Sequence, residues 1–291
     1  MPLWSLKWSC SRLPDDLNPS DGLEEDVDRA LREDIGSGDL TASLIPSARM
    51  ARARVICREA AVICGRPWFD RVMLALSPLI ELNWRVHEGE WVKPGQVLCE
   101  LAGPAQAILS GERAALNFLQ TLSGTATLAR RYADAVAGTS AKVLDTRKTI
   151  PGLRKAQKYA AVCGGCHNHR MGLFDAILIK ENHISAAGSI GAALEAARSL
   201  DAKVKIEVEV EGLGQLQEAL DAGARFVLLD NFSLDDLRSA VKLNSGKAML
   251  EASGNVNLDT VRAIAETGVD FISSGAITKD LRAIDLSMRF V

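Results

Sequence analysis

The stretch Val204-Lys-Ile-Glu-Val-Glu-Val-Glu-Gly-Leu-Gly-Gln-Leu-Gln-Glu-Ala-Leu-Asp-Ala-Gly-Ala-Arg-Phe-Val-Leu-Leu-Asp-Asn231 decides the fold class. Residues 204–210 alternate, with Val204, Ile206, Val208 and Val210 on one face and Lys205, Glu207 and Glu209 on the other, as in a strand. Residues 214–222 change to a Leu- and Ala-bearing helical stripe, and residues 226–229 form a second short apolar run. Strand, helix, strand is a βα unit and implies a parallel sheet. Such a sheet is covered on both faces, so the charged face of 204–210 cannot simply be wet. Its groups need a partner, a ligand or a metal.

The same unit recurs outward from this stretch. Short apolar runs at 141–144, 176–179, 204–210, 226–229, 248–250 and 271–272 alternate with helical patterns at 189–200, 214–222, 233–243 and 258–267. This spacing suits a barrel or a doubly wound sheet, and six strands fall short of the eight of a complete barrel. The runs end in Asp145-Thr-Arg-Lys148, Lys180-Glu-Asn182, Glu209, Asp230-Asn231, Glu251-Ala-Ser-Gly254 and Ser273-Ser-Gly275. Chemistry gathers at the C-terminal strand ends of βα barrels, so six polar ends together point to a site there.

The first 140 residues lack this alternation and read as a separate α+β unit. Residues 51–58 predict a strand and 84–101 a hairpin region, broken at Gly89 and at the Pro94-Gly95 turn. Residues 87–98 resemble part of a biotinyl/lipoyl carrier hairpin. Those carriers need an exposed Lys at a tight turn, and Lys93 precedes Pro94, so the segment reads as a structural hairpin. Residues 111–137, with Leu116, Leu119 and Leu122 on one stripe, predict a helix linking the two units, with Arg113 in its first turn. Residues 1–20 read as a loosely ordered extension whose Trp4 and Trp8 dock on the body. The expected organisation is therefore an extension (1–20), an N-terminal domain (21–122) and a barrel domain (123–291).

The 291 residues include 34 Lys and Arg against 37 Asp and Glu, a net charge of −3 that argues against nucleic-acid or acidic-membrane binding. No apolar stretch approaches the roughly 20 residues of a membrane span. No apolar run of signal-peptide length opens the chain, so a cytoplasmic location with reduced thiols is expected for the six cysteines. The average charge conceals a local excess. Residues 145–170 carry six basic side chains (Arg147, Lys148, Arg154, Lys155, Lys158, Arg170) and one acid, and the remaining 28 basic and 36 acidic residues sum to −8. A concentrated cationic segment in an acidic protein suggests a small polyanionic ligand.

Within that segment, Asp145-Thr-Arg-Lys-Thr-Ile-Pro-Gly-Leu-Arg154 sets two adjacent cations after a strand and then turns at Pro151-Gly152. Arginine grips carboxylate or phosphate bidentately, and lysine supplies a point charge. Cys163-Gly-Gly-Cys166-His167-Asn168-His169-Arg170 reads either as a zinc or thiol redox site or as a glycine-rich bend presenting His169 and Arg170 to an anion. No second Cys/His pair at zinc spacing occurs. Ser253-Gly254-Asn255 and Ser274-Gly275 are late Gly-bearing turns of the kind that hold phosphate through backbone N–H groups. Glu209 and Asp230 end neighbouring strands, where carboxylates hold Mg²⁺ with a substrate's phosphates and hydroxyls, or simply balance the cationic loop.

Taken together, Gly111-Glu-Arg-Ala-Ala-Leu-Asn-Phe-Leu-Gln120, Asp145 to Arg154, His169-Arg170, Ile179-Lys-Glu-Asn-His183, Glu207-Val-Glu209, Leu229-Asp-Asn-Phe232 and Glu251-Ala-Ser-Gly254 resemble the quinolinate phosphoribosyltransferases from about Asp39 to Val291. The resemblance implies an N-terminal α/β sandwich and a C-terminal open, incomplete α/β barrel. It also implies phosphoribosyl transfer from phosphoribosyl pyrophosphate (PRPP) to quinolinate with decarboxylation, Mg²⁺ dependence and at least a homodimer. By motif, Thr146, Arg147, Lys148, His169, Arg170 and Lys180 would bind quinolinate carboxylates and phosphates. Arg113 would reach the neighbouring subunit's site. Glu209 and Asp230 would hold ribose hydroxyls and Mg²⁺, and Ser253, Gly254, Asn255 and Gly275 would line the phosphate pocket. Lys148, Lys180, Glu209 and Asp230 are the implied catalytic set.

Overall fold

The computed structural model describes residues 22–200 and 203–291, and the expected docking of Trp4 and Trp8 lies outside the described residues. The chain divides into two compact units, neither continuous in sequence. The first takes the described residues up to Ala129 with Pro151–Gly165 and Leu281–Val291, and the second takes Arg130–Ile150 with Cys166–Asp280.

The first unit contains α1 (Leu23–Ile35), β1 (Met50–Cys57), β2 (Ala61–Val62), α2 (Arg66–Leu76), β3 (Glu81–Trp84), β4 (Trp91–Val92), β5 (Val97–Pro104), most of α3 (Ala105–Ala135), α4 (Arg154–Cys163) and, from the chain's end, β12 (Leu286–Phe290). Four of these strands form an antiparallel sheet in the order β12-β1-β5-β3, and β2 pairs with β4. Along β1, Ala53, Val55 and Cys57 are buried, while Arg54 turns outward opposite Glu100 and pairs with it at 2.9 Å. The sheet's apolar residues share a core with Trp68, Phe69, Val72 and Met73 of α2 and with Leu116, Leu119 and Leu122 of α3. Burial of each such large side chain contributes about 1.5–3 kcal/mol.

The linking helix starts at Ala105, six residues earlier than the spacing predicts, so Arg113 is its ninth residue and not in its first turn. Ala105 to Ser110 are tolerant of helix and follow Pro104, which needs no N–H there. Gly111 is internal for a packing reason. A Cβ there would lie 2.9 Å from Leu76 and 3.1 Å from Met73, so its absence lets α2 pack closely. The basic segment is also reassigned. Arg154, Lys155 and Lys158 ride on α4, whose Ala156, Tyr159 and Ala160 join the first unit's core, with Tyr159 and Trp68 rings 5.5 Å apart. Lys158 is fully buried there.

The second unit carries every parallel strand expected: β6 (Lys142–Leu144), β7 (Ala176–Ile179), β8 (Lys205–Val210), β9 (Phe226–Asp230), β10 (Met249–Ser253) and β11 (Phe271–Ser273). They form one sheet in the order β6-β11-β10-β9-β8-β7, in which β6 and β7 are edges and the barrel is not closed. The helices are α5 (Glu181–Ala187), α6 (Ile190–Ser199), α7 (Leu213–Asp221), α8 (Leu234–Asn244), α9 (Val261–Ala265) and α10 (Ala276–Lys279). α9 is shorter than the 258–267 pattern predicts. Asn257 Oδ1 accepts the N–H groups of Asp259 and Thr260, which holds the approach in a turn until Val261.

The alternation of 204–210 has its expected consequence. Val208, Val210, Val227, Leu229, Leu250, Ala252 and Ile272 are buried on one face of the sheet, where α6 and α7 contact β8. In register, Glu209 and Glu251 lie opposite Leu228, Glu207 opposite Leu178 and Ser253 opposite Asp230. The other face therefore collects Lys205, Glu207, Glu209, Asp230, Glu251 and Ser253.

Candidate active site

The centre of that face is an acid cluster around His169. Glu207 Oε2 lies 3.1 Å from His169 Nε2 and 3.1 Å from Lys205 Nζ, and Glu251 Oε2 lies 3.6 Å from the same ring nitrogen. His169 Nδ1 accepts the backbone N–H of Arg170 at 2.8 Å, which places the ring hydrogen on Nε2, facing Glu207. Burial pushes the Glu207 carboxyl up, but His169 and Lys205 together outweigh it and leave the group below the usual carboxylate range. Glu251 is less well compensated. Burial first, and then the Glu207 charge, push it up to about 7, outweighing His169, Ser273 and Lys205, which pull it down.

The segment bearing His169 is fastened to β6. His167 bridges Leu144, with its N–H on the Val143 carbonyl at 2.8 Å, and buried Asp145 accepts from Asn168 Nδ2 and, at 2.9 Å, from the His169 N–H. This bend delivers Arg170 beside Arg147. Arg170 is held below the usual guanidinium range by burial and then by the charge of Arg147, while its Nη1 donates to the Ala176 carbonyl at 3.1 Å. Arg147 Nε is buried without a partner. Among the described residues, no acid forms an ion pair with Arg147, Arg170 or Lys148.

Exposed Lys148 follows on the same loop, its N–H on Thr146 Oγ1 at 3.1 Å and its carbonyl accepting from Thr278 Oγ1 at 2.8 Å. A Cβ on Gly275 would lie 2.8 Å from Lys148 Cδ and 3.4 Å from Thr146 Oγ1, so the loops after β6 and β11 meet because residue 275 is Gly. Lys180 ends β7 and its Nζ donates to Glu209 Oε2 at 2.7 Å, while His183 Nδ1 caps α5 by accepting the Lys180 N–H at 3.0 Å. Asp230 Oδ2 accepts from Asn231 Nδ2 at 2.7 Å. Beyond β10, Gly254 has φ +94° and any Cβ there would strike Asn231, whose own φ of +55° and N–H to the Ser253 carbonyl at 2.9 Å join the ends of β9 and β10. Asn255, at φ +51°, donates to Asn231 Oδ1 at 3.3 Å.

Of the residues expected at the site, all but Arg113 lie in the second unit, at strand ends or in following loops except for His169 and Arg170, which lie in the segment between α4 and β7. Arg113 lies in the first unit, exposed on α3. Asp145, Asn231 and Glu251 were legible only as polar strand ends. The alternation argument applied to 249–253 also singles out Glu251, which stands between inward-packed Leu250 and Ala252. Cys163 and Cys166 have different neighbours. Cys166 is buried near Asp145 and Arg130, whereas Cys163 lies against Glu88 and Cys64.

An open parallel α/β barrel whose strand ends gather cations lacking acid partners, next to a pair of strand-end carboxylates, defines an enzyme class that handles small polyanions. Residues 39–123 match the model of the quinolinate phosphoribosyl transferase N-terminal domain, and residues 125–289 match that of the C-terminal domain. The chain belongs to this family. It is 43% identical over 265 residues to a Synechocystis protein named "Probable nicotinate-nucleotide pyrophosphorylase (carboxylating)", covering 90% of each chain. It is 38% identical to a mitochondrial quinolinate phosphoribosyltransferase (decarboxylating) of Nicotiana tabacum, covering 94% of this chain and 83% of that one. The solved nicotinate-nucleotide pyrophosphorylase of Francisella tularensis superposes with a TM-score of 0.89 at 44% identity, covering 98% and 99% of the two chains. Among the described residues, no helix is long and apolar enough to cross a membrane.

Proposed function

We propose that this chain transfers the phosphoribosyl group of PRPP to the ring nitrogen of quinolinate and releases CO₂, yielding nicotinate mononucleotide and pyrophosphate for de novo NAD synthesis. The observation that carries this reading is the Arg147–Arg170 pair. Two like charges, one of them with a buried unpartnered Nε, are stable together when an anion joins them. Quinolinate is a dianion and PRPP a polyanion, so several fixed cations are needed to offset their repulsion.

Arg147 and Arg170 grip the quinolinate carboxylates, with Lys180 beside them, and His169 acts by holding the Arg170 backbone against Glu207. Lys148 and Thr146, with Gly275, Ser253, Gly254 and Asn255, receive phosphate oxygens. As pyrophosphate departs, positive charge develops on the ribose, and the Glu209 and Asp230 carboxylates stabilise it while accepting hydrogen bonds from the ribose hydroxyls. Glu209 and Asp230 accept their hydrogen bonds from Lys180 and Asn231 through Oε2 and Oδ2, and hard carboxylate oxygens of this kind suit Mg²⁺. When bound there, Mg²⁺ would supply charge to balance the pyrophosphate. Once the ring nitrogen carries ribose it is cationic and accepts the electron pair left as the adjacent carboxylate leaves as CO₂. The residues around it need only hold that carboxylate and exclude water.

The same reading extends to a homodimer in which Arg113 enters the neighbouring subunit's site. It is supported by Arg113 being exposed and by a groove of about 750 Å³ in the first unit, lined by Ile45, Met50, Leu79, Phe290 and Val291 among others. The five described cysteines are free, which suits a reducing, cytoplasmic compartment. Incubation of the purified protein with quinolinate, PRPP and Mg²⁺ should release CO₂ and pyrophosphate in equal amounts, and no release of either would overturn the proposal. Faster turnover of nicotinate than of quinolinate would instead assign a non-decarboxylating relative.

A further inference from the structure

The first unit holds a cluster that phosphoribosyl transfer does not use. Cys64 is fully buried just before α2, Cys163 closes α4 and is half-buried, and Glu88 lies in the turn between β3 and β4. One sulfur from each cysteine and one Glu88 oxygen all lie within 4.8 Å of one another. Cys163 Sγ is 3.8 Å from Glu88 Oε2. Tetrahedral zinc, with ligand distances of about 2.3 Å to sulfur and about 2.0 Å to oxygen, sets sulfur–oxygen edges near 3.5 Å and sulfur–sulfur edges near 3.8 Å. The Cys163–Glu88 distance of 3.8 Å is near that sulfur–oxygen edge, and the other two pairs lie within 4.8 Å.

Glu88 is fixed in place by the start of α2. Its Oε1 accepts the N–H groups of Gly65 at 3.1 Å and Arg66 at 2.9 Å, and its Oε2 shares the Gly65 N–H at 3.1 Å while facing Cys163, with the Tyr159 hydroxyl on the same carboxylate. Gly89, next in the chain, comes so close to Cys163 that a Cβ would lie 2.9 Å from the Cys163 carbonyl, so the turn is held against the end of α4. Among the described residues, no Lys or Arg forms an ion pair with Glu88. The comparison with His169, Glu207 and Glu251 is informative. That second cluster of potential ligands already contains a cation, Lys205 Nζ, 3.1 Å from Glu207. Burial, reinforced by Cys163 and Glu88, pushes the Cys64 thiol well up, so it stays protonated until a cation displaces the proton.

We propose that Cys64, Cys163 and Glu88 form a site for a thiophilic divalent ion of the zinc class, with three protein ligands and a fourth position open to water. Binding breaks two S–H bonds, forms two sulfur–metal bonds and releases two protons to solvent, with no change of oxidation state. The ion would tie the end of α4 to the start of α2. The site lies wholly in the first unit and stands independently of the proposed transferase activity.

The test uses the full-length protein, stripped with a chelator under reductant and titrated with Co²⁺ and then Zn²⁺. One equivalent of Co²⁺ should produce thiolate-to-cobalt charge-transfer absorption, which an oxygen-only site at Glu209 and Asp230 cannot give, and Zn²⁺ should abolish it and raise the Tm. Cys163→Ser, at the half-buried position, should lose both the absorption and the Tm increment. Cys166→Ser should keep both, and Glu88→Gln should weaken binding by about tenfold or more. Absence of the absorption in the parent protein overturns the proposal without reference to any variant. Absorption unchanged in a folded Cys163→Ser protein overturns it too.

Discussion

Glu251 shows how one residue's chemistry is set by its neighbour. Lys205 and His169 stand nearer to Glu207 than to Glu251, and Glu251 also feels the Glu207 charge, so the pair shares its acidity unequally. Because the folded state raises the Glu251 carboxyl to about 7, the native protein binds more protons than the unfolded chain between the ordinary carboxylate range and that value. Its stability falls as pH rises through this window. Glu251→Gln mimics the protonated form, so its Tm relative to the parent should improve from pH 5 to about pH 7 and level off above that. Parallel Tm curves measured by calorimetry would contradict the assignment. Arg170 makes a second prediction. A Lys ammonium cannot reproduce the two-pronged grip of a guanidinium, so Arg170→Lys should lower kcat/KM for quinolinate by about 100-fold, near 3 kcal/mol. An unchanged constant in steady-state assays would remove Arg170 from the carboxylate site.

At the scale of elements, sequence periodicity was a good guide to strands and a poor guide to helix ends. All six parallel strands were legible because each is a short apolar run ended by polar residues. The start of α3 was not, because Gly111 reads as a breaker while its actual constraint is the approach of Leu76 and Met73. Gly124, further along α3, has the same character: a Cβ there would be driven into the Arg282 carbonyl. Helix propensity favours Ala over Gly by about 1 kcal/mol, but overpacking against backbone costs about 1–3 kcal/mol or more. Gly124→Ala should therefore lower the Tm, and a rise in a thermal melt would show that the contact yields easily. The cationic segment was misread at this scale too. Composition registers Arg154, Lys155 and Lys158 alongside Arg147 and Lys148, but α4 carries the first three into another unit because its Ala156 and Tyr159 belong to that core.

For the whole molecule, the proposed exchange of Arg113 between subunits makes a prediction that no single chain can satisfy. Arg113→Ala and Lys148→Ala proteins should each be nearly inactive, and mixing them after dissociation should restore part of the parent activity through one intact hybrid site. Verified heterodimers that recover nothing would rule out the shared arrangement. Such sharing left only the resemblance of motif 111–120 in the sequence, since a spacing argument within one chain carries no information about a second.

The pairing of β12 with β1 has a further consequence for biogenesis. Ala53 to Cys57 lie against residues 286–290, more than 220 positions further along the chain. During synthesis β1 emerges early, yet one of its edges stays unpaired until residues 286–290 have been translated and have left the ribosome. Until then the nascent chain presents an open strand edge that invites association with other chains, and closing it is a long-range and therefore slow step. Translation products that stop short of β12 would keep that edge, which makes them natural clients for chaperones and proteases.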